Sequence, residues 1–404
     1  MTPPRIAYVL PTRDRPDTLA RTIAGLSRLP RHDAQVIVVD NASRTPPKLP
    51  IELANGLPVT LLMRDTNEGA AARNAGALAA DPSCEWIVML DDDSHPVDVG
   101  GAGLLDALRD APSDVGAVQA EIFLRDVKEQ EGIKASRHEA GGLPEVFIGC
   151  GVAIRREAFL ATGGYDPSFN YYVEEYDLAA KLMLAGMRIT FDRRFGVVHE
   201  KTQAGRDMDV ILRRLVRNNA WVMRRYSPRS ERAREVRRTI ARYGRIAIKE
   251  RAELGYARGL LDLAGTYFSQ PRREMPRDVW DRFTGKAAAR EALGAAHAAR
   301  PFASAAIVDA GKNEHIVREA LGEMGVRIAA REEDADALVI GTLSPGPALD
   351  ALAQRPAAHS AAAPRIIAPL ELGPAPAPAG SSTTPPPRDA DRRAAATSPS
   401  LAAA

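Results

Sequence analysis

The sequence predicts an α/β protein in which a mostly parallel sheet carries helices on both faces. Strand-length apolar runs occupy residues 6–10, 35–40, 59–63 and 85–90, and helical patterns occupy residues 17–29 and 69–80. Strands that alternate with helices in this way build parallel sheets. Ligands of such sheets bind at the carboxyl edge, where the strands end in loops, so the residues at strand ends are the functional candidates.

Composition divides the 404 residues into four regions. Residues 1–205 carry the α/β pattern. Residues 206–300 are predicted to be helical, and residues 206–251 contain fifteen Lys and Arg against five Asp and Glu. Residues 301–354 show a small strand–helix–strand pattern without a G-x-G-x-x-G loop, and no ligand is assigned to it. Residues 355–404, rich in Ala, Pro, Ser and Thr, are expected to be disordered.

The bulk properties are those of a soluble globular protein. The net charge is only +2 and hydrophobic residues make up 45% of the chain, which is an ordinary share. Cys84 and Cys150 are too few for a disulfide framework and fit a reducing cytoplasm. No apolar run approaches the roughly 18 residues of a membrane span, and the first residues lack a signal-peptide pattern. The expected location is the cytoplasm.

The strongest local signal is the acidic triplet Asp91-Asp92-Asp93, directly after an apolar run. Adjacent carboxylates repel one another unless a cation neutralises them. Asp91 and Asp93 point to the same side of an extended chain, and a hard divalent cation binds carboxylate and phosphate oxygens together. An isolated Asp triplet is more often a helix cap or a turn, but its place at a strand end favours a metal site.

Two weaker signals lie at the neighbouring strand ends. Asp40 ends the run at residues 36–39, where an acidic residue often accepts hydrogen bonds from a ribose or a base. A turn aspartate in solvent gives the same pattern. Gly69, after Asn67, permits a tight loop, and Arg73 follows within reach of a phosphate. A helix start with an exposed arginine explains the second pattern equally well.

Glu174, Glu175 and Asp177 stand at the predicted start of a helix. Carboxylates there are stabilised by the helix dipole, which is the structural interpretation. The functional interpretation is that one of them is a general base. His199 follows a short apolar pair, and a lone histidine is usually structural. At a strand end, in a chain with an acidic motif, it becomes a candidate metal ligand.

Taken in order, these signals resemble the large family 2 of inverting glycosyltransferases, which have the GT-A fold. The resemblance spans roughly residues 4–225 and is nearest to the rhamnosyl- and galactofuranosyl-transferase branches. The segments that carry it are Leu10-Pro11-Thr12-Arg13-Asp14-Arg15-Pro16, Val38-Val39-Asp40-Asn41-Ala42-Ser43, Asn67-Glu68-Gly69, Arg73-Asn74-Ala75-Gly76, Leu90-Asp91-Asp92-Asp93, Gly149-Cys150-Gly151-Val152-Ala153-Ile154-Arg155-Arg156, Gly163-Gly164-Tyr165-Asp166, Glu174-Glu175-Tyr176-Asp177-Leu178 and His199.

The resemblance implies a role for each matching residue. Metal binding falls to Asp93 and Asp91, with His199 as a further ligand. The general base is Glu175, with Glu174 and Asp177 as neighbouring candidates. The family usually has Asp at the base position, so the glutamate here is one methylene longer. Nucleotide and donor binding falls to Pro11, Thr12, Arg13, Asp40, Asn67, Gly69, Arg73, Asp91, Asp92, Gly149 and Gly151.

The implied reaction is metal-dependent transfer of a sugar, with inversion, from a UDP- or dTDP-sugar to a hydroxyl of a saccharide or lipid-linked acceptor. The cation is Mn²⁺ or Mg²⁺, and the pathway is cell-surface polysaccharide or glycoconjugate synthesis. One alternative is a sugar-phosphate nucleotidyltransferase, which needs a glycine-rich loop after the first strand; residues 11–16 contain no glycine. The other is a non-catalytic nucleotide-sugar-binding protein of the same fold.

The basic helical segment has several interpretations. It packs against the catalytic domain and shapes the acceptor site, or it contacts an anionic membrane, where each basic residue near the surface adds about 1 kcal/mol. The second interpretation places the protein at the inner face of the membrane. A solvated structural helix explains the composition equally well. Nucleic acid is not expected, because the segment has few aromatic residues and no recognised motif.

Overall fold

The computed structural model describes residues 5–97, 103–125, 137–200, 207–355 and 364–373. The first α/β unit contains strands β1 (Ile6–Thr12), β2 (Ala34–Asp40), β3 (Val59–Met63), β4 (Trp86–Met89), β5 (Ser94–Val97), β6 (Val115–Arg125), β7 (Val152–Arg155) and β8 (Arg188–Glu200). Its helices are α1 (Pro16–Ser27), α2 (Ala72–Ala79), α3 (Gly103–Asp110), α4 (Arg156–Ala161) and α5 (Glu174–Leu184).

The eight strands form one sheet in the order β3-β2-β1-β4-β7-β6-β8-β5. The β1–β2, β2–β3, β1–β4 and β6–β8 pairs are parallel, and β7 and β5 join their neighbours antiparallel. The chain runs outward from β1 to β3 on one side and then returns to place β4 on the other. Such a switch in strand order leaves a crevice at the carboxyl ends of β1 and β4.

The sheet is buried on both faces, as parallel sheets usually are. Along β1, Ala7 and Val9 pack into one apolar cluster with α2 and α5, whereas Ile6, Tyr8 and Leu10 pack into another with α1 and α3. Because successive side chains of a strand point to opposite faces, one short apolar run supplies both layers. The predicted fold class, a GT-A-type α/β sheet with helices on both faces, is confirmed.

Local differences from the prediction are small. The apolar run was expected to end at Pro11, but β1 continues to Thr12, and Pro11 pairs with Val39. A proline is tolerated there because it comes near the strand end, where one fewer backbone donor is needed. The helix predicted over residues 69–80 begins as a 3-10 turn, Gly69–Ala71, and only then becomes α2.

The helical region contains α6 (Met208–Tyr226), α7 (Arg229–Glu250), α8 (Glu253–Thr266), α9 (Arg277–Thr284) and α10 (Lys286–Ala299). Helix α6 is fixed to the first unit by Asn218, whose side-chain amide donates to the backbone carbonyls of Phe169 at 3.1 Å and Tyr172 at 2.8 Å. Asp207 caps the helix by accepting from the backbone N–H of Val210 at 3.1 Å. The first helix of the basic segment is therefore packed against the first α/β unit.

The second α/β unit contains β9 (Ser304–Val308), α11 (Glu314–Glu323), β10 (Arg327–Ala329), β11 (Ala337–Ile340), α12 (Pro345–Gln354) and β12 (Arg365–Ile367). Its strands are all parallel, in the order β10-β9-β11-β12.

Strand β12 lies within the region expected to be disordered, residues 355–404. It is ordered because it adds to the edge of β11 and because Ile367 and Leu370 are buried. The rest of that prediction, residues 356–363 and 374–404, lies outside the described residues.

Among the helices that the structure describes, none is long and apolar enough to cross a membrane.

Candidate active site

A cavity of about 1400 Å³ opens at the carboxyl ends of β1 and β4. Its wall is formed by the loops that follow these strands, by the start of α5 and by the end of β8. Helices α6 and α7 and the second α/β unit also contribute to it. Most of the predicted site residues therefore meet in one place: Pro11, Thr12, Arg13, Asn67, Gly69, Arg73, Asp91, Asp92, Asp93, Gly149, Glu174, Glu175 and His199 line this cavity.

Asp92 connects the two strand ends that border the crevice through hydrogen bonds. Its buried carboxylate accepts a hydrogen bond from the hydroxyl of Thr12 at 2.9 Å and one from Arg15 at 2.6 Å. Burial raises the pKa of Asp92 to about 7, although Arg15 acts in the opposite direction. Asp92 and Thr12, both predicted to bind the nucleotide sugar, are thus hydrogen-bonded to each other. This bond joins β1 to the loop after β4.

Asp93 and His199 form a second ion pair at the cavity wall. The Asp93 carboxylate accepts from Arg15 at 2.9 Å and lies 3.4 Å from Nε2 of His199. Burial acts to raise the pKa of Asp93, but His199 and Arg15 outweigh burial and lower it to about 2. Burial likewise acts to lower the pKa of His199, but Cys150, Asp93 and Glu139 raise it well above its usual range.

One atom each of Asp91, Cys150 and His199 lies within 4.8 Å of the others. A carboxylate oxygen, a thiol and an imidazole nitrogen can together hold a divalent transition-metal ion. The predicted ligands Asp91 and His199 are brought together, but the third residue of the group is Cys150 rather than Asp93, which is held by Arg15. The sequence placed the segment Gly149-Cys150-Gly151 at the donor sugar, but Cys150 was not identified there as a candidate metal ligand.

Arg73 and Gly69 shape the neighbouring wall. The Arg73 guanidinium is buried, forms an ion pair with Asp91 and lies 3.3 Å from the backbone carbonyl of Leu90. Gly69 has φ +62°, and a Cβ there would lie 2.0 Å from the carbonyl oxygen of Asn170. Only glycine fits this close approach, because other residues meet both backbone strain and a clash. The loop before α2 is thereby fixed against the segment before α5.

Three predicted site residues lie outside the cavity. Asp40 is fully buried, with one carboxylate oxygen 3.3 Å from the backbone N–H of Ser43. A Cβ at Gly151 would lie 2.9 Å from Ile122, so this glycine serves packing under the wall. The prediction placed Asp40 at the nucleotide and Gly151 at the donor sugar. Instead, Asn41, next to Asp40, lines the cavity.

Asp177, the third of them, is a structural residue. Its buried carboxylate accepts from Arg225 at 2.7 Å and from the hydroxyl of Tyr226 at 2.7 Å. These partners come from α6, so Asp177 fixes that helix to α5. The structure thus places the carboxylate of Asp177, a predicted catalytic candidate, in the core rather than at the cavity. The sequence could not show a partner 48 residues away.

Glu174 and Glu175 begin α5 at the cavity. They follow three residues with positive φ, Asn170, Tyr172 and Val173, a backbone strain that is often found at functional sites. Burial and the adjacent Glu175 raise the pKa of Glu174 well above its usual value, and its Oε2 has no hydrogen-bond partner among the described residues. Burial also raises the pKa of Glu175, which Lys312 and Arg73 oppose. The two carboxyl groups together therefore retain a proton at a higher pH than two isolated glutamates would.

The sequence interpretation missed a further set of lining residues from distant parts of the chain. They come from the segment before β7, the helical region and the second α/β unit, and no local pattern marks them. They include Glu139, Arg214, Arg242, Tyr243 and Lys312, together with Tyr176 of α5.

Residues 8–160 match the family model described as glycosyl transferase family 2. This stretch includes β1 to β7, the acidic triplet and Cys150. This part of the chain is therefore similar to the family 2 glycosyltransferases. It ends before α5, and Glu174, Glu175 and His199 lie beyond it. No curated protein matches the sequence.

Two solved structures are distantly similar. One is GalNAc-T7 with UDP, GalNAc and Mn²⁺, at 18% identity and a TM-score of 0.45, with 66% of this chain and 58% of that chain covered. The other is the mannosyltransferase PcManGT from Pyrobaculum calidifontis in complex with GDP-Man and Mn²⁺, at 18% identity and a TM-score of 0.40, with 74% and 81% covered.

Proposed function

We propose that the chain is a glycosyltransferase that moves a sugar, with inversion, from a nucleoside-diphosphate sugar to an acceptor hydroxyl. One observation carries the proposal. The buried Glu174 and the half-buried Glu175 border the same cavity as the Asp91, Cys150 and His199 group. A base and an acidic metal-type site in one crevice, in a chain whose first part is similar to family 2, fit this reaction.

Glu175 is the base in this proposal. It takes the proton of the acceptor hydroxyl as that oxygen attacks the anomeric carbon on the face opposite the diphosphate. The new carbon–oxygen bond forms as the bond to the diphosphate breaks, and the nucleoside diphosphate leaves. Lys312 and Arg73 favour the ionised form of Glu175. Burial and Glu175 also raise the pKa of Glu174, which disfavours a second negative charge beside Glu175.

Asp91, Cys150 and His199 are the residues that would hold a divalent cation, and of Mn²⁺ and Mg²⁺ their nitrogen and sulfur atoms suit Mn²⁺ better, because Mg²⁺ prefers oxygen ligands. Such a cation supplies positive charge to the departing diphosphate. Asp93, Glu139 and Arg15 orient this group, since His199 lies 2.9 Å from Glu139 and 3.4 Å from Asp93. Partners of this kind fix the position of a metal ligand and its protonation state.

The proposal is tested by incubating the protein with a panel of nucleotide sugars and Mn²⁺ or Mg²⁺. Slow hydrolysis of one donor, with release of free nucleoside diphosphate, is the expected result, because water can take the place of the acceptor. UDP- and dTDP-sugars are the first to try. Release of pyrophosphate from a nucleoside triphosphate and a sugar phosphate would instead assign a nucleotidyltransferase. Binding of a nucleotide sugar without turnover on any acceptor would assign a binding protein.

A membrane contact also belongs to the proposed function. Helix α8 packs on α6 through Gly255 and Gly259, whose Cβ atoms would lie 2.1 Å and 2.5 Å from backbone oxygens of α6. Leu254 (57% exposed) and Leu261 (73%) on another face of α8, with Phe268 (85%) just after the helix ends, form an exposed apolar stripe at seven-residue spacing. Exposed basic residues lie nearby in the sequence, namely Arg245, Lys249, Arg251 and Arg258. Exposed apolar and basic groups together suit an anionic membrane surface.

The double substitution Leu261→Asp and Phe268→Asp is expected to weaken binding to phosphatidylglycerol vesicles by tenfold or more, because burying one such side chain contributes about 1.5–3 kcal/mol. Cosedimentation measures this. Leu78→Asp, at a residue on α2 that is 67% exposed, is the matched control and should bind as the wild type does. Unchanged binding of the double variant would contradict the contact. A dimer that the same change dissociates would assign the stripe to a second copy of the chain.

A further inference from the structure

Part of the cavity wall is built by the second α/β unit, whose function the sequence leaves open. The loop between β9 and α11 contributes Gly311 and Lys312, and the segment after β11 contributes Thr342 and Ser344. Both lie at the carboxyl edge of a parallel sheet, the edge at which α/β proteins bind ligands. The ligand-binding edges of the two sheets therefore border a single cavity.

Several contacts fix the second unit against the first. The ring of His138 lies 3.0 Å from the carboxylate of Glu121 on β6 and 2.7 Å from that of Asp350 on α12. A Cβ at Gly346 would lie 2.7 Å from the Cβ of His138, so the two units are in close contact there. The side-chain amide of Asn313 donates to the carbonyl of Thr284 at 3.0 Å. The loop that carries Lys312 is thus held against the end of α9 by Asn313.

Lys312 is a cation in an unusual position. Its ammonium group contacts the hydroxyl of Tyr176 and lies 4.6 Å from the centroid of that ring. Burial lowers the pKa of Lys312 to about 7, and nearby Arg242 acts in the same direction, while Glu175 opposes them. Lys312 is half-buried, and an ammonium group that loses part of its water is costly unless an anion accompanies it. The described residues offer Lys312 no carboxylate at ion-pair distance.

Arg214 on α6 and Arg242 on α7 line the same cavity. Within the described part of the chain neither of them forms an ion pair. Arg242 instead lies 5.9 Å from the ring centroid of Tyr243. The contrast with the metal-type side is clear, because Arg15 is paired with Asp92 and Asp93 there, and Arg73 with Asp91. The cavity lining therefore includes one group of residues with balanced charges and three cations, Lys312, Arg214 and Arg242, that have no carboxylate partner among the described residues.

We propose that Lys312, Arg214 and Arg242 form an anion subsite that binds a phosphate or diphosphate carried by the acceptor. The anion would lie beside the hydroxyl that Glu175 deprotonates, so the inference rests on the proposed function. Arginine offers two parallel donors to phosphate oxygens, and lysine a compact charge. A bound phosphate would complete the charge balance of this side and hold the acceptor in a fixed orientation.

The probe for this subsite is glucose 1-phosphate, and uncharged methyl glucoside, which lacks the phosphate, is the control ligand. Calorimetric titrations are run on the free protein and on protein with excess UDP and Mn²⁺, which occupy the donor side. We expect glucose 1-phosphate to bind and methyl glucoside to bind at least tenfold more weakly. We also expect UDP not to displace the sugar phosphate. Displacement by UDP, or equal affinity for the two sugars, would assign the three cations to the donor or to no ligand.

Lys312→Met and Arg242→Met should each weaken binding of glucose 1-phosphate by about tenfold or more, as the loss of a charged hydrogen bond does. Arg237→Met is the control. It is exposed on the same helix as Arg242 and, five residues away, points about 140° around the axis. Melting temperatures show whether each variant is folded, and two separate variants guard against the misfolding of one. Unchanged affinity in both folded variants would overturn the subsite.

A second arm identifies the source of the phosphate. Phosphatidylcholine vesicles with and without a polyprenyl phosphate are compared, for the wild type and for Lys312→Met. Retention that needs both the polyprenyl phosphate and Lys312 assigns a lipid-linked acceptor, whereas binding of glucose 1-phosphate alone assigns a soluble sugar phosphate. If no nucleotide sugar is turned over but the anion still binds through Lys312, the transferase proposal fails and the subsite remains.

Discussion

Glu175→Gln is expected to lower the rate of sugar transfer by about 10²-fold or more, the usual contribution of a general base. The amide keeps the size of the side chain but cannot accept the hydroxyl proton. The affinity for nucleoside diphosphate should be nearly unchanged, because the predicted nucleotide contacts are on other loops of the cavity wall. Transfer rate and nucleotide affinity measured in parallel separate these two effects.

Glu174→Gln is the matched control for that substitution. Glu174 is the more strongly protonated member of the pair, because burial and Glu175 both raise its pKa. Replacing a protonated carboxyl by an amide removes little charge, so the loss of rate should be smaller. Adjacent residues of a helix diverge by about 100°, and both cannot face one hydroxyl in the same way. An inactive Glu174→Gln with a fully active Glu175→Gln would exchange the two roles.

The pH profile follows from the same carboxylates. A base acts only when it is ionised, and burial raises the pKa of Glu175. Activity should therefore fall as the pH decreases through this raised pKa, at a higher pH than an ordinary glutamate would give. The decrease should disappear from the residual activity of Glu175→Gln.

Loss of the metal group is expected to have the second large effect. Asp91→Asn and His199→Gln should each lower metal-dependent nucleotide affinity by at least the roughly 100-fold that loss of a supporting residue can cost, and excess chelator should abolish transfer. Asp93→Asn should cost less, because Asp93 acts by orienting His199 and is itself held by Arg15. Titration of each variant with Mn²⁺ and nucleoside diphosphate measures this. Full transfer in excess chelator contradicts the metal site.

The thiol of Cys150 influences which metal ions the proposed site prefers. Cys150 is near His199, with 3.8 Å between its sulfur and Nδ1, and sulfur ligands favour softer metal ions. Cys150→Ser should therefore weaken Cd²⁺ binding more than Mg²⁺ binding. Cys84→Ser, at the other buried cysteine, is the control because Cys84 contacts Gln35 away from the cavity. Equal losses in the two variants would remove Cys150 from the ligand set.

The sequence predicted the parts of the molecule that local patterns determine. Strands β1 to β4 follow from short apolar runs, and the acidic triplet could be placed because a strand end precedes it. In a parallel sheet, such ends meet at one edge whatever the rest of the chain does. For that reason the position of Asp91 along the chain favoured a place at this site, whereas Thr12 and Arg73 were assigned to it through the family resemblance.

The rest depends on partners that are distant in the chain. Asp177 looks catalytic until Arg225 and Tyr226 occupy its carboxylate. Lys312 reaches the site from 136 residues beyond Tyr176. Strand β12 has a weak pattern of its own and becomes ordered by adding to β11. Spacing within the sequence carries no information about such contacts.

The central claim is that the cavity performs inverting transfer from a nucleotide sugar. The most direct test is to follow donor hydrolysis by proton NMR from the first turnover, in the wild type and in Glu175→Gln. For an α-linked donor, we predict that free nucleoside diphosphate appears together with the β-anomer of the sugar, before mutarotation, and that Glu175→Gln is slower by about 10²-fold or more. First appearance of the α-anomer, or equal rates in the two proteins, would contradict it.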